Sequence, residues 1–349
     1  MFQDFKEDIE KLHFCRLHPQ VRLGTASDRY AGLLGQIYAK ERYQGRIRQR
    51  TKVVGEQPFT EKVLPVDSVA EYFEHFPVLE IDFTFYRSLL NKKGEPTQNF
   101  HVLKTYRQHL KDRDSLLLKV PQAITAPKLR RGGTYKENLA YLDPEVFTRQ
   151  FYEPANKLLG PALTGFIFEQ EYLRQQDRPP VTEMAEALDS FFQRIPQDNR
   201  YHLELRTDLY LREPVFEVLE RHGVGQVLSH WTWLPPLRKQ LAKAGGRFFN
   251  AGNQCVIRLL TPLHMRYDDS YKKAFPFDKL LESMLRPEMI LETVDIMYQA
   301  VNQGVMVNVI INNRAGGNAP LLARMIAERF LKNAEPVPKP KRQLSLWEN

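Results

Sequence analysis

The chain has 349 residues, 42% apolar and 26% charged, with 50 Lys and Arg against 42 Asp and Glu and a formal net charge of +8. That composition is of a soluble globular protein long enough to bury a full core as one large α/β domain or two ordinary ones. It excludes a disulfide scaffold, a cysteine metal cluster and a membrane span: Cys15 and Cys255 lie far apart, the N-terminus has no apolar h-region, and the longest late apolar run (305–311) is broken by Asn308. Cytoplasmic location is therefore expected.

Residues 1–20 read as a helical extension. Short apolar or β-branched runs follow at Arg22–Ser27, Val78–Phe85, Ser115–Pro121 and Gly165–Gln170, then at His202–Arg206, Gln226–Trp231, Cys255–Leu260 and Val305–Asn312. Between them lie segments with apolar residues at three- and four-residue spacing, such as Met184-Leu188-Phe191-Phe192 and Ile290-Val294-Met297-Val301. Apolar strands alternating with helices predict βαβ units around a parallel sheet. Eight such units match a closed (β/α)8 TIM barrel over residues 21–332 better than an open sheet. No G-x-G-x-x-G follows any strand, which removes the usual argument for a dinucleotide fold. Residues 261–288 read as a long insert after the seventh strand, and residues 333–349 as a flexible tail.

In such a barrel the working residues lie at the C-terminal ends of the strands. That rule selects Glu80 and Asp82 on strand two, Lys119 on strand three and Glu169 on strand four. Strand five adds Glu204 and Arg206, strand six His230, strand seven Arg258, and strand eight ends in Asn312 and Asn313. Charges inside apolar strands are costly unless paired, and Glu80, Glu169 and Glu204 can balance Lys119, Arg206 and Arg258. A buried ion-pair layer closing the barrel and a catalytic site are both compatible with this set; six charges over six strands favour a site. Crowded carboxylates suit general acid or base work, and the guanidinium and ammonium groups suit clamping of an anion. No metal is expected from histidine or cysteine spacing, although Glu80, Asp82 or Glu204 could hold Mg²⁺ or Mn²⁺.

Two basic clusters fall after strands one and three. Lys40–Lys52 contains Arg46, Arg48 and Arg50, and the second cluster contains Lys128, Arg130 and Arg131. Tyr38, Tyr43 and Tyr135 lie among them, and Trp231 and Trp233 follow strand six. A basic rim interleaved with aromatic rings is what single-stranded nucleic acid requires; a solvated rim around a small-molecule site is the plainer alternative.

The tail ends in an apolar peptide on a tether that cannot fold. Alternate prolines in EPVPKPKR favour extended, solvated backbone. Gln343-Leu344-Ser345-Leu346-Trp347 then resembles the QL(S/D)LF peptide with which bacterial replication and repair proteins dock onto the sliding clamp, with Trp347 where Phe is usual. Gln343, Leu344, Leu346 and Trp347 would make that contact. Packing of the peptide on its own domain is the alternative.

The order of motifs is similar to that of the YecE-like family, known as domain of unknown function 72 (DUF72). RLGTAS resembles its I-G-T-S-G-W, with departures at Ala26 and Asp28. SVAEYFEHFPVLEIDFTFYR resembles its L-x-Y-Y-A…F-x-x-V-E-x-N-S-T-F-Y-R, with Asp82 for Asn and Phe83 for Ser. LLLKVPQAIT, HLELRTDLY, CVIRLLT and VNVIINNRAGGNAP resemble four further motifs. The resemblance implies a TIM barrel of unestablished activity and matches the family's polar positions at Glu80, Thr84, Tyr86, Lys119, Glu204, Arg206, Arg258, Asn312 and Asn313. Ala126, Glu169, Thr207 and Leu260 depart from it and remove several of its His and amide groups. Three readings follow. The first is a hydrolase or lyase on a phosphate-bearing or nucleic-acid substrate, recruited to the clamp. The second is a non-catalytic nucleic-acid or effector-binding barrel. The third is a small-metabolite enzyme with an incidental tail. Oligomeric state is not legible.

Overall fold

The computed structural model describes residues 2–131 and 134–334. Eight strands close into a parallel barrel in chain order: β1 Val21–Ala26, β2 Val78–Ile81, β3 Ser115–Lys119, β4 Leu163–Gln170, β5 Tyr201–Leu205, β6 Gly225–His230, β7 Gln254–Leu259 and β8 Met306–Ile311. Pairing of β8 with β1 completes the ring. The TIM barrel expected from the alternation is the fold, and each strand lies within two residues of its expected start. Strand two is shorter than expected. It stops at Ile81, and Phe83–Phe85 form a 3-10 turn, so Asp82 stands after the strand rather than on its face with Glu80.

Period-2 alternation sorts the inward residues into three layers. Ala26, Val78, Leu117, Ile167, Val227, Val256 and Ile310 form an apolar plug of their own, separate from the main core between strands and helices. Two residues further along each strand come Glu80, Lys119, Glu169, Ser229 and Arg258, joined by Glu204 from β5. Two residues before the plug come Ser115, Gly165, Gly225, Gln254 and Asn308, with His202 from β5. Gly225 is needed there: a Cβ would stand 2.4 Å from His202 Nδ1. The plug seals a polar floor from a charged upper layer.

Two outer hairpins replace the expected loops. Arg48–Val54 pairs with Gln57–Val63 after β1, and Lys128–Arg131 pairs with Thr134–Glu137 after β3. The first packs Val54 and Phe59 against Tyr271, Phe277 and Met284, within and after the helix Tyr267–Ala274 that the long insert contributes. The N-terminal helix covers Phe2–Glu10 only. Among the described residues no helix is long and apolar enough to cross a membrane.

Candidate active site at the barrel mouth

The upper layer is an ion-pair network. Arg258, buried on β7, donates from Nε and Nη2 to the two oxygens of Glu80 at 2.7 and 2.6 Å. Its Nη1 donates to Glu204 and reaches Glu169 Oε2 at 3.2 Å. Glu169 also meets Lys119 Nζ at 2.5 Å and Arg206 Nη2 at 2.7 Å. Glu204 accepts from the Ser229 hydroxyl and from Arg206 Nη2 at 3.2 Å. The three carboxylates and three cations singled out in the sequence thus converge into one neutral, buried layer. Desolvation of each charge is offset by its partners, so removing one partner costs about 3–5 kcal/mol. Lys119 Nζ sits 3.9 Å above the Phe85 ring, and the Arg206 guanidinium 4.8 Å from the Trp231 ring centre.

The environment drives two of these carboxyls apart. Burial pushes Glu80 up, and Arg258 and Lys119 hold it back only in part. Burial also acts on Glu169, but Arg206, Lys119 and Arg258 outweigh it and hold that carboxyl well below the ordinary range. Carboxyls pushed apart in this way are suited to acid and base roles, and buried ion-pair networks produce the same separation.

Glu80 forms the floor of a cavity of about 330 Å³ between the ends of β1 and β2 and the first hairpin. Asp28, Arg29, Tyr30, Asp82, Tyr86 and Tyr106 line it, with Arg50 and Lys52 from the hairpin. Asp28 is buried; Tyr106 Oη lies 2.9 Å from both its oxygens, and burial pushes its carboxyl up against the opposing pull of Arg29. Arg29 approaches Asp28 no closer than 4.0 Å, beyond hydrogen-bond distance, so this pair leaves its N–H groups open to an anion. Ser27, also lining the cavity, holds φ at +110°, a conformation that glycine favours. Asp28, Arg29 and Tyr106 were not selected from sequence. Asp28 continues the inward series Gly24-Ala26-Asp28, a signal available to the same alternation rule. Tyr106 comes from the helix Gln98–His109 and meets Asp28 across 78 positions, which no local pattern reveals.

Other expected site residues lie elsewhere or serve the scaffold. His230 donates from Nδ1 to the Thr261 carbonyl at 2.8 Å, and burial lowers its pKa to about 4, so the ring is neutral. Asn313 Oδ1 accepts from Ala319 N, the first residue of the last helix, at 2.8 Å; Asn312 Oδ1 accepts from Arg314 N at 3.0 Å. Neither amide oxygen is therefore aimed at a ligand, although both residues stand at the mouth. Among the described residues no group of three His, Cys, Asp or Glu is placed to hold a metal.

Much of the expected basic rim is neutralised. Arg46 grips Asp67 at 2.7 and 2.8 Å. Arg50 and Lys52 share the buried Glu61, at 2.5 and 3.7 Å. Lys128 meets Asp177 at 2.9 Å, whereas Arg48 and Arg130 are exposed. Arg131 stands in the second hairpin. Tyr38 and Tyr43 are buried rather than offered among the charges: they pack edge to face with each other, because their rings join the main core. Gln343, Leu344, Leu346 and Trp347 lie outside the described residues.

The family model for protein of unknown function DUF72 matches residues 50–344. A DUF72 family protein of Enterococcus faecalis V583 superposes with a TM-score of 0.54 at 14% identity, over 89% of this chain and 95% of its own. One from Thermotoga maritima MSB8 gives 0.53 at 16% identity, over 91% and 100%. Among curated proteins none matches in sequence. These structures share the barrel, and the family match over most of its length makes this chain a member of DUF72.

Proposed function

We propose that the chain is a proton-transfer enzyme, a hydrolase or lyase acting on a phosphate-bearing or nucleic-acid substrate and recruited to the sliding clamp by Gln343–Trp347. One observation carries the catalytic part. Two carboxyls pushed up by burial, Glu80 and Asp28, face the cavity that also contains Asp82 and the guanidinium of Arg29. A carboxyl raised toward working pH can donate a proton to a leaving group. A second carboxylate can take a proton, and a guanidinium can hold the anion that develops. Lys119, Arg206 and Arg258 support this by fixing the orientation of Glu80, Glu169 and Glu204 beneath.

The binding-module reading draws on the mutual neutralisation of the upper layer, which leaves the barrel interior satisfied without a ligand. Turnover separates the two. Purified protein would be screened against phosphate esters and oligonucleotides, with and without Mg²⁺ or Mn²⁺. Asp82 is only half-buried, so Asp82→Asn should melt like the wild type and lose about a hundredfold or more in rate. Full activity in that variant would move the chemistry out of this cavity. Oligonucleotide binding without any turnover would favour the non-catalytic barrel.

A further inference from the structure

Across the mouth from the cavity, the ends of β4, β5 and β6 carry an aromatic group with no role in the proton chemistry above. Tyr172 follows β4, and Trp231 and Trp233 follow β6. The Tyr172 ring lies 6.0 Å from Trp233, tilted by 31°, and 5.9 Å from Trp231. Tyr172 is 40% and Trp233 49% exposed, so both rings leave apolar surface open to a ligand. The turn beneath them is braced: Thr232 Oγ1 donates to the Met265 carbonyl at 2.5 Å and meets Thr261 Oγ1 at 3.2 Å. Guanidinium groups lie against the same rings, Arg178 at 5.3 Å from Tyr172 and Arg206 at 4.8 Å from Trp231. Exposed rings on a braced turn are a preorganised surface for planar groups.

The charge around the rings selects the occupant. The Lys128–Asp177 ion pair, at 2.9 Å, ties the second hairpin to the loop that carries Tyr172. Together residues 128–137 and 171–180 hold six bases (four and two) against three acids (one and two). Tyr135, 65% exposed, extends the aromatic surface along that hairpin. The first hairpin offers a smaller surplus: residues 48–63 hold four bases against two acids, and Glu61 engages both Arg50 and Lys52. We propose that Tyr172, Trp231 and Trp233, with the second hairpin, form a stacking strip for single-stranded nucleic acid. Unstacked bases lie on the rings, and the phosphate chain runs toward the exposed Arg130. A duplex cannot use the rings, since its bases already stack on one another. This deepens the nucleic-acid arm of the proposed function by assigning the strand a track across the mouth.

The test is fluorescence anisotropy of labelled oligo-dT, oligo-U and a duplex of equal length, with the full chain and no turnover read. Single strands should bind more tightly than the duplex, and comparison of dT with U tells DNA from RNA. Trp233→Ala and Tyr172→Ala are surface changes and should each weaken single-strand binding about tenfold. Arg130→Ala should lower the salt dependence and leave the single-strand preference. Wild-type affinity in both aromatic variants, equal binding of the duplex, or displacement of the oligonucleotide by a neutral oligosaccharide would each overturn the strip. Because binding is read without catalysis, an inactive cavity leaves this result standing.

Discussion

His202 shows how one buried side chain sets the acid limit of the fold. It is fully buried at the polar floor of the barrel, in space left by Gly165 and Gly225, and among the described residues neither ring nitrogen has a partner. Burial lowers its pKa from the ordinary 6.5 to about 3. Between those two values the unfolded chain takes up a proton that the folded chain refuses. Stability therefore rises with pH across that window and falls as pH drops through it. The loss from His202 alone amounts to about 2–3 kcal/mol by pH 4.5. His202→Leu keeps the ring's volume in part and removes the titration. Urea unfolding at pH 7 and pH 4.5 should show the variant losing less stability than the wild type by roughly that amount. His230, lowered to about 4 by burial, supplies part of the slope that remains. Parallel losses in the two proteins would mean that His202 is hydrated or partnered in solution.

At the scale of elements, the barrel strands were legible and the hairpins were not, for one physical reason. Parallel strands covered on both faces read as continuous apolar runs, so a charge within them is conspicuous. Glu80, Lys119, Glu169, Glu204 and Arg258 were found that way, and their period-2 placement fixes the layer that joins them. The first strand of the first hairpin is almost wholly exposed, so RQRTKVV reads as a charged loop. The usable signal was Gly55 after the β-branched pair Val53-Val54, with φ of +63° at the turn. Because this hairpin is a wall of the cavity held by few contacts, it should open independently of the barrel. Phe59→Ala removes its main anchor against Tyr271 and Phe275, whose ring centres lie 5.1 and 5.3 Å away. A local loss of about 2–3 kcal/mol should speed amide exchange across Arg48–Val63 about a hundredfold and leave the barrel strands unchanged. Equal acceleration in β1 to β8 would show that hairpin and barrel unfold as one unit.

At the scale of the whole molecule, the described chain begins its last helix at the mouth and ends at the opposite face. All eight strands run toward the mouth, where the cavity, the ion layer and the aromatic strip lie. The last helix, Ala319–Ala334, starts just beyond β8 at the mouth and runs back along the outside, packing on the N-terminal helix. Its 16 residues at ~1.5 Å each carry the chain about 24 Å toward the opposite face. The described chain therefore ends at Ala334, remote from the mouth. Were the proposed clamp and strand contacts held at once, tethering would raise the local concentration of the second site without any new contact. Deletion of residues 343–349 should abolish binding to the sliding clamp while oligonucleotide affinity and melting temperature stay at the wild-type level. Clamp binding measured by calorimetry and anisotropy with oligo-dT give the two readings on the same sample. If the truncated chain still binds the clamp, recruitment does not run through Leu344, Leu346 and Trp347. If truncation weakens oligonucleotide binding as well, the two ends are not independent, and the tail shares the surface now assigned to the mouth.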